Sequence, residues 1–280
     1  MDDLVSTEWL QGQLGASDLK VIDATLFLPG EPRDARSEYE AEHIPGAVFL
    51  DLEEVSDASS PVPHMVPAEP KFASRMASIG LRDGQRFVVY DNSPLHSAAR
   101  AWWMLRSFGA HYVAILDGGM PKWKSEGRPL ESGRPKLRHG HFSPSLDAQA
   151  VADKAFVKGL LGGGSHEIVD ARGAGRFTGE EAEPRAGMAS GHIPGSKNLP
   201  QGQLFNPDNS WKQGDGLRAV FDSAGVDLSK PMVATCGSGI TACVLLFGAH
   251  LLGKEDVKLY DGSWSEWGAD PATPKATGPA

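Results

Sequence analysis

Two cysteines occur in the 280 residues, Cys236 and Cys243, and their neighbours give them different chemistry. Cys236 ends the apolar run Val233-Ala234-Thr235 and opens Gly237-Ser238-Gly239-Ile240-Thr241-Ala242, after which apolar residues resume as Cys243-Val244-Leu245-Leu246-Phe247. That pattern predicts a buried strand, a tight loop of small residues and a helix. In such a unit the N–H groups of the loop, Gly237 through Thr241, can converge on one point that the positive end of the following helix also faces. A sulfur at that focus is favoured as an anion, and the thiolate is the nucleophilic form of cysteine. A lone cysteine is otherwise a small core hydrophobe. That role does not require Gly-Ser-Gly beside the thiol, whereas Cys243, among helical apolar residues, fits it.

The loop also separates two chemistries. Phosphate-ester cleavage on a cysteine loop of this type needs an arginine six positions after the cysteine to fork the phosphate oxygens, and that position is Ala242. Sulfur transfer has no such requirement, because loop amides alone can hold an anionic persulfide. No Cys-x-x-Cys pair and no Cys/His cluster of metal spacing is present, so neither a metal nor another cofactor is implied. On one helix Cys236 and Cys243 would stand about 10 Å apart, beyond disulfide reach.

The elements that position the loop are given by an internal repeat. Val21-Ile22-Asp23-Ala24 returns as Ile168-Val169-Asp170-Ala171, and His43-Ile44-Pro45-Gly46 returns as His192-Ile193-Pro194-Gly195. Leu116-Asp117-Gly118-Gly119 with Trp123 returns as Tyr260-Asp261-Gly262-Ser263 with Trp267. Two copies of one fold therefore stand in tandem. Aligning Gly80 with Gly225 sets Asp91 opposite Cys236, so the first copy lacks a comparable nucleophile. Each copy alternates short apolar strands with amphipathic segments such as 72–79 and 217–224, as in a parallel sheet covered on both faces by helices. Ser6 is a candidate N-cap. His43 and His192 occur in both copies and so read as structural residues at a proline turn. Paired Trp102-Trp103, near Arg100 and Arg106, reads as packing.

The segment Cys-Gly-Ser-Gly-Ile-Thr-Ala resembles the active-site loop of the rhodanese superfamily. Within it the loop is most similar to Cys-Gly-Ser-Gly-Val-Thr-Ala, found in the branch that takes sulfur from 3-mercaptopyruvate. The resemblance spans nearly the entire chain and implies an α/β protein of tandem rhodanese-like domains, each a parallel sheet flanked by helices. The first, 1–132, is expected to be catalytically inert, 133–147 to be a linker, 148–270 to be the catalytic domain, and the Pro- and Ala-rich 271–280 to be a mobile tail.

The implied activity is two-step transfer: Cys236 accepts sulfur, and a thiol such as thioredoxin or a small thiol, or cyanide, removes it. The alternatives are thiosulfate as donor, or a non-catalytic persulfide carrier. Related thiosulfate enzymes carry cationic side chains in the loop, whereas Gly237-Ser238-Gly239 is neutral. The substrate contacts implied are Arg176 in Gly-Arg-Phe, Arg185 in Glu-Pro-Arg, and Gly237, Gly239, Ile240 and Thr241. Two guanidinium forks suit a planar α-keto carboxylate. The family's serine–histidine–aspartate relay maps onto Ser238 and His64, with Glu53 at the aspartate position and Asp51 nearby.

The net charge of −9 disfavours nucleic acid or an anionic membrane as main partner, since both demand a basic footprint. Met1-Asp2-Asp3-Leu4 begins no cationic, apolar leader, and no run approaches a membrane span, so a cytoplasmic location is expected.

Overall fold

The computed structural model describes residues 1–28 and 30–279. The chain divides into two compact units, one of 1–57, 66–147 and 205–211, the other of 58–65, 148–204 and 212–280.

In the first unit the strands are β1 (Leu4–Val5), β2 (Leu19–Asp23), β3 (Val48–Phe49), β4 (Arg86–Tyr90) and β5 (Tyr112–Leu116), in the order β1-β5-β4-β2-β3. The helices are α1 (Thr7–Gln13), α2 (Ala35–Ala41), α3 (Leu52–Val55), α4 (Glu69–Ser78), α5 (Ala98–Ser107) and α6 (Gly119–Ser125). The second unit repeats the topology with β6 (Val151–Ala152), β7 (Glu167–Asp170), β8 (Lys197–Asn198), β9 (Met232–Thr235) and β10 (Val257–Tyr260), ordered β6-β10-β9-β7-β8. Its helices are α7 (Lys154–Leu160), α8 (Ala174–Thr178), α9 (Gly214–Ser223), α10 (Ala242–Leu251) and α11 (Ser263–Trp267). Every strand pairing is parallel, and parallel neighbours require crossovers, which the helices supply. The central strands are mainly apolar because both faces are buried. Val21, Val88, Ala114 and Leu116 pack with Leu10, Met120 and Trp123, while Ile168, Val233 and Tyr260 pack with Val157, Trp264 and Trp267.

Local signals act as their chemistry demands. Ser6 caps α1 by accepting the Trp9 N–H at 3.1 Å. Trp102 and Trp103 are buried on α5, and the buried Arg100 guanidinium lies 4.9 Å from the Trp103 ring centre. The repeated histidines brace turns. His43 donates through Nδ1 to the Tyr39 carbonyl and stacks on Tyr39, and His192 donates to the Phe177 carbonyl and stacks on Phe177.

The stretch expected to link the domains and the one expected to be a mobile tail are both hydrogen-bonded to the units they border. Residues 133–147 run along the first unit: Gly133 N–H donates to Glu40 O, Gly140 N–H to Ala77 O and Asp147 N–H to Ser107 O. Gly140 passes so close to Leu81 that a side chain there would strike the Leu81 carbonyl. Within 271–280, Ala276 pairs with His192, Trp267 Nε1–H donates to Pro274 O at 2.8 Å, and Gly278 N–H donates to Thr178 O. Ala280 itself lies outside the described residues. Among the described residues no helix is long and apolar enough to cross a membrane.

Candidate active site

β9 is wholly buried and delivers Cys236, 2% exposed, to the carboxyl end of the sheet, the edge at which parallel α/β sheets bind ligands. The loop turns on Gly239, whose φ of +79° is strained for any residue with a Cβ, and α10 then begins at Ala242. The second thiol is occupied in packing: Cys243 is buried and its Sγ–H donates to Gly239 O at 3.3 Å.

The first unit shows what such a loop holds. At the end of β4 the carboxylate of buried Asp91 accepts the Ser93 N–H at 3.0 Å and the N–H of Ala98, the first residue of α5, at 2.7 Å. Burial pushes its pKa up to about 6, against the pull of those two amides. The first unit's loop thus supplies its own anion. In the second unit the corresponding N–H groups of Ser238 and Ala242 have no acceptor among the described residues, and Cys236 stands at the position of Asp91. A negative sulfur or a transferred sulfur atom is what that arrangement can stabilise.

A turn from the start of α11 grips the loop from its other side. Cys236 N–H donates to Ser263 Oγ at 3.2 Å, Trp264 N–H to Cys236 O at 2.9 Å, and Ser265 N–H and Oγ–H both to Gly237 O, at 2.9 and 2.6 Å. Ser263 is buried with φ +48°, a left-handed conformation rare outside glycine, and the first unit has Gly119 in its place.

Arg176, on α8, lies against the loop. Its Nη2 would be 3.0 Å from a Cβ built on Gly237, so the missing side chain there leaves room for the guanidinium. Glu183 fixes it, accepting from Nη2 at 2.6 Å and Nε at 3.2 Å. Glu183 is itself buried and also accepts from Arg172 Nη1 at 2.6 Å. Arg172 donates in addition to both carboxylate oxygens of Asp170 and to Gly191 O, and stacks over Trp264 at 4.5 Å. Burial opposes the Arg172 charge, but Asp170 and Glu183 outweigh it and leave the pKa raised. Arg185, half-buried on the segment after α8, makes no ion pair among the described residues.

His64 belongs to the second unit with the 58–65 segment. It is buried, and its Nδ1 lies 2.8 Å from Ser238 Oγ, so loop serine and distant histidine do meet. Glu53 sits exposed in the first turn of α3. Asp51 is engaged as the cap of that helix, accepting the Glu53 and Glu54 N–H groups, and pairs with Arg36.

No local pattern in the sequence singles out Arg172, Glu183, Ser263 or Ser265. A signal for two of them exists in how the copies differ: Asp170-Ala171-Arg172 answers Asp23-Ala24-Thr25, and Ser263 answers Gly119.

The Rhodanese-like domain model matches residues 6–126 and again 153–270, and the chain belongs to that family. Over 270 residues it is 44% identical to the 3-mercaptopyruvate sulfurtransferase of Mus musculus, covering 94% of this chain and 91% of that protein. The thiosulfate sulfurtransferase of Cricetulus griseus is 43% identical over 272 residues, with the same coverage. Among solved structures, the 3-mercaptopyruvate sulfotransferase SseA of Escherichia coli superposes with a TM-score of 0.87 at 40% identity, over 95% of this chain and 100% of that one.

Proposed function

We infer that the protein is a sulfurtransferase that moves sulfur from 3-mercaptopyruvate through a Cys236 persulfide to a thiol or cyanide acceptor, releasing pyruvate. The observation that carries this reading is the contrast between the two loops: two amides hold the Asp91 carboxylate in one, and in the other, where Cys236 replaces Asp91, the matching amides of Ser238 and Ala242 have no acceptor among the described residues. The Cys236 thiolate attacks the donor sulfur. An S–S bond forms, the C–S bond breaks with its electron pair on carbon, and the enolate of pyruvate leaves. The proton of the donor thiol ends on that carbon, so the enzyme keeps an anionic persulfide facing the loop amides. In the second half-reaction an acceptor thiolate or cyanide attacks the outer sulfur, and Cys236 departs as thiolate, completing a ping-pong cycle.

Ser238 and His64 relay the proton between donor sulfur and enolate carbon, and Glu53 is the carboxylate assigned to orient and balance the histidine. Arg176 and Arg185 receive the α-keto carboxylate, with the amides of Gly237, Gly239, Ile240 and Thr241 at the sulfur. With a mercaptopyruvate enzyme and a thiosulfate enzyme at nearly equal identity, similarity alone does not choose the donor. The uncharged loop supports the singly charged one over dianionic thiosulfate. We place the reaction in the cytoplasm, with thioredoxin or a small thiol as acceptor.

Exchange of Arg176 or Arg185 for lysine tests the substrate assignment, since it keeps the charge and removes the fork. kcat/KM for 3-mercaptopyruvate is expected to fall roughly tenfold in each, about 1.4 kcal/mol. Unchanged kinetics in both would return these arginines to an ordinary charged loop.

A further inference from the structure

The chain of ion pairs Asp170–Arg172–Glu183–Arg176 runs through the second unit and is not repeated among the described residues of the first. There Asp23, at the position of Asp170, is followed by Thr25 where the second unit has Arg172. Asp23 accepts the Thr25 N–H, and burial pushes its pKa up to about 6. The same fold is therefore built in the first unit without that chain of ion pairs, its Asp23 making no salt bridge among the described residues. Charges withdrawn from water are costly even when paired, and a packed apolar substitute is often as stable, so stability alone does not account for the second unit's network. Its position does: it ends on the guanidinium beside Gly237.

The four side chains are two acids and two bases, and their charges sum to zero. The Glu183 side chain, 1% exposed, is shared by the side chains of Arg172, 1% exposed, and Arg176, 24% exposed. Arg176 thus presents N–H donors toward the loop while its charge is matched from behind. Glu180 and Glu181 are exposed to solvent, where their fields are screened, and Arg185 is the arginine of this segment without a matching acid among the described residues.

We propose that Glu183 is a specificity-determining residue: it holds Arg176 against the cysteine loop and cancels its charge, so that the site favours a singly charged donor over a dianion. This rests on 3-mercaptopyruvate being the preferred donor. Neutralising Glu183 leaves one uncompensated positive charge beside the cysteine loop, and a dianion gains more from it than a monoanion does. Glutamine keeps the shape and one acceptor, and Arg172 keeps its bonds to Asp170.

The test is kcat/KM for 3-mercaptopyruvate and for thiosulfate in the full-length protein, in the natural chain and in Glu183→Gln and Glu183→Asp. In E183Q the ratio of mercaptopyruvate to thiosulfate activity is expected to fall about tenfold. E183D retains the charge but not the reach, so both activities should drop together and leave the ratio within twofold. A role confined to scaffolding lowers both donors in proportion in E183Q as well, and that result overturns the proposal. A ratio displaced tenfold in E183D, with the charge intact, overturns it too. A natural chain that prefers thiosulfate defeats the donor assignment, whereas a natural chain that prefers 3-mercaptopyruvate with an unmoved ratio in E183Q defeats only the role of Glu183.

Discussion

Cys236→Ser takes up no sulfur from 3-mercaptopyruvate and releases no pyruvate, while Cys243→Ser does both. The two thiols lie seven residues apart but in different environments: Cys236 opens the loop between β9 and α10, and Cys243 spends its S–H on the Gly239 carbonyl inside the core. Serine at 236 fits the space and preserves the fold, yet its oxygen is not ionised near neutral pH and cannot form a persulfide. The loss in kcat is expected to exceed a thousandfold. Intact-mass measurement after incubation with donor and no acceptor reads this directly, as one added sulfur on the peptide containing Cys236. Sulfur found on Cys243 alone would assign the nucleophile to the wrong residue.

Ser238→Ala and His64→Ala are expected to depress kcat/KM for 3-mercaptopyruvate about a hundredfold, roughly 2.7 kcal/mol, and to change thiosulfate turnover only a few-fold. The reason is in the leaving groups. Mercaptopyruvate carries a thiol proton that must reach the enolate carbon, and the Ser238 hydroxyl 2.8 Å from His64 offers the path. Thiosulfate has no proton to lose and releases sulfite, which needs none to depart. Equal losses on both donors would instead mean that the substitutions damage the loop itself. Glu53→Gln should behave as a milder His64 variant, since it removes the charge that would balance an imidazolium and keeps the shape. No loss in that variant takes Glu53 out of the relay.

What could be read from the sequence followed from local rules. Apolar runs broken by glycine gave strand, loop and helix around Cys236, and the repeated Asp-Ala and His-Ile-Pro-Gly motifs gave two copies of a parallel sheet. Chemistry that depends on long-range placement was less legible. Charged residues such as Arg172 and Glu183 default to the surface in a sequence reading, and their burial follows from mutual pairing across a turn that no periodicity announces. Composition also misled at 271–279, where Pro, Ala and Gly suggest a loose end. Backbone pairing of Ala276 with His192 and the Thr273 hydroxyl's bond to Trp267 O fix it. Ser263 shows the opposite case. A single serine in place of glycine at φ +48° looks unremarkable in one copy, and acquires meaning when set beside Gly119, because a strained conformation kept with a hydroxyl on the Cys236 amide points to function.

The central claim concerns the donor, and steady-state kcat/KM for 3-mercaptopyruvate and thiosulfate, measured side by side on the same preparation with cyanide as acceptor, tests it most directly. The neutral Gly237-Ser238-Gly239 loop and the Arg176 and Arg185 guanidiniums predict a clear preference for 3-mercaptopyruvate, by at least tenfold. Equal or greater efficiency with thiosulfate would contradict the account, leaving the fold in place and the substrate misassigned.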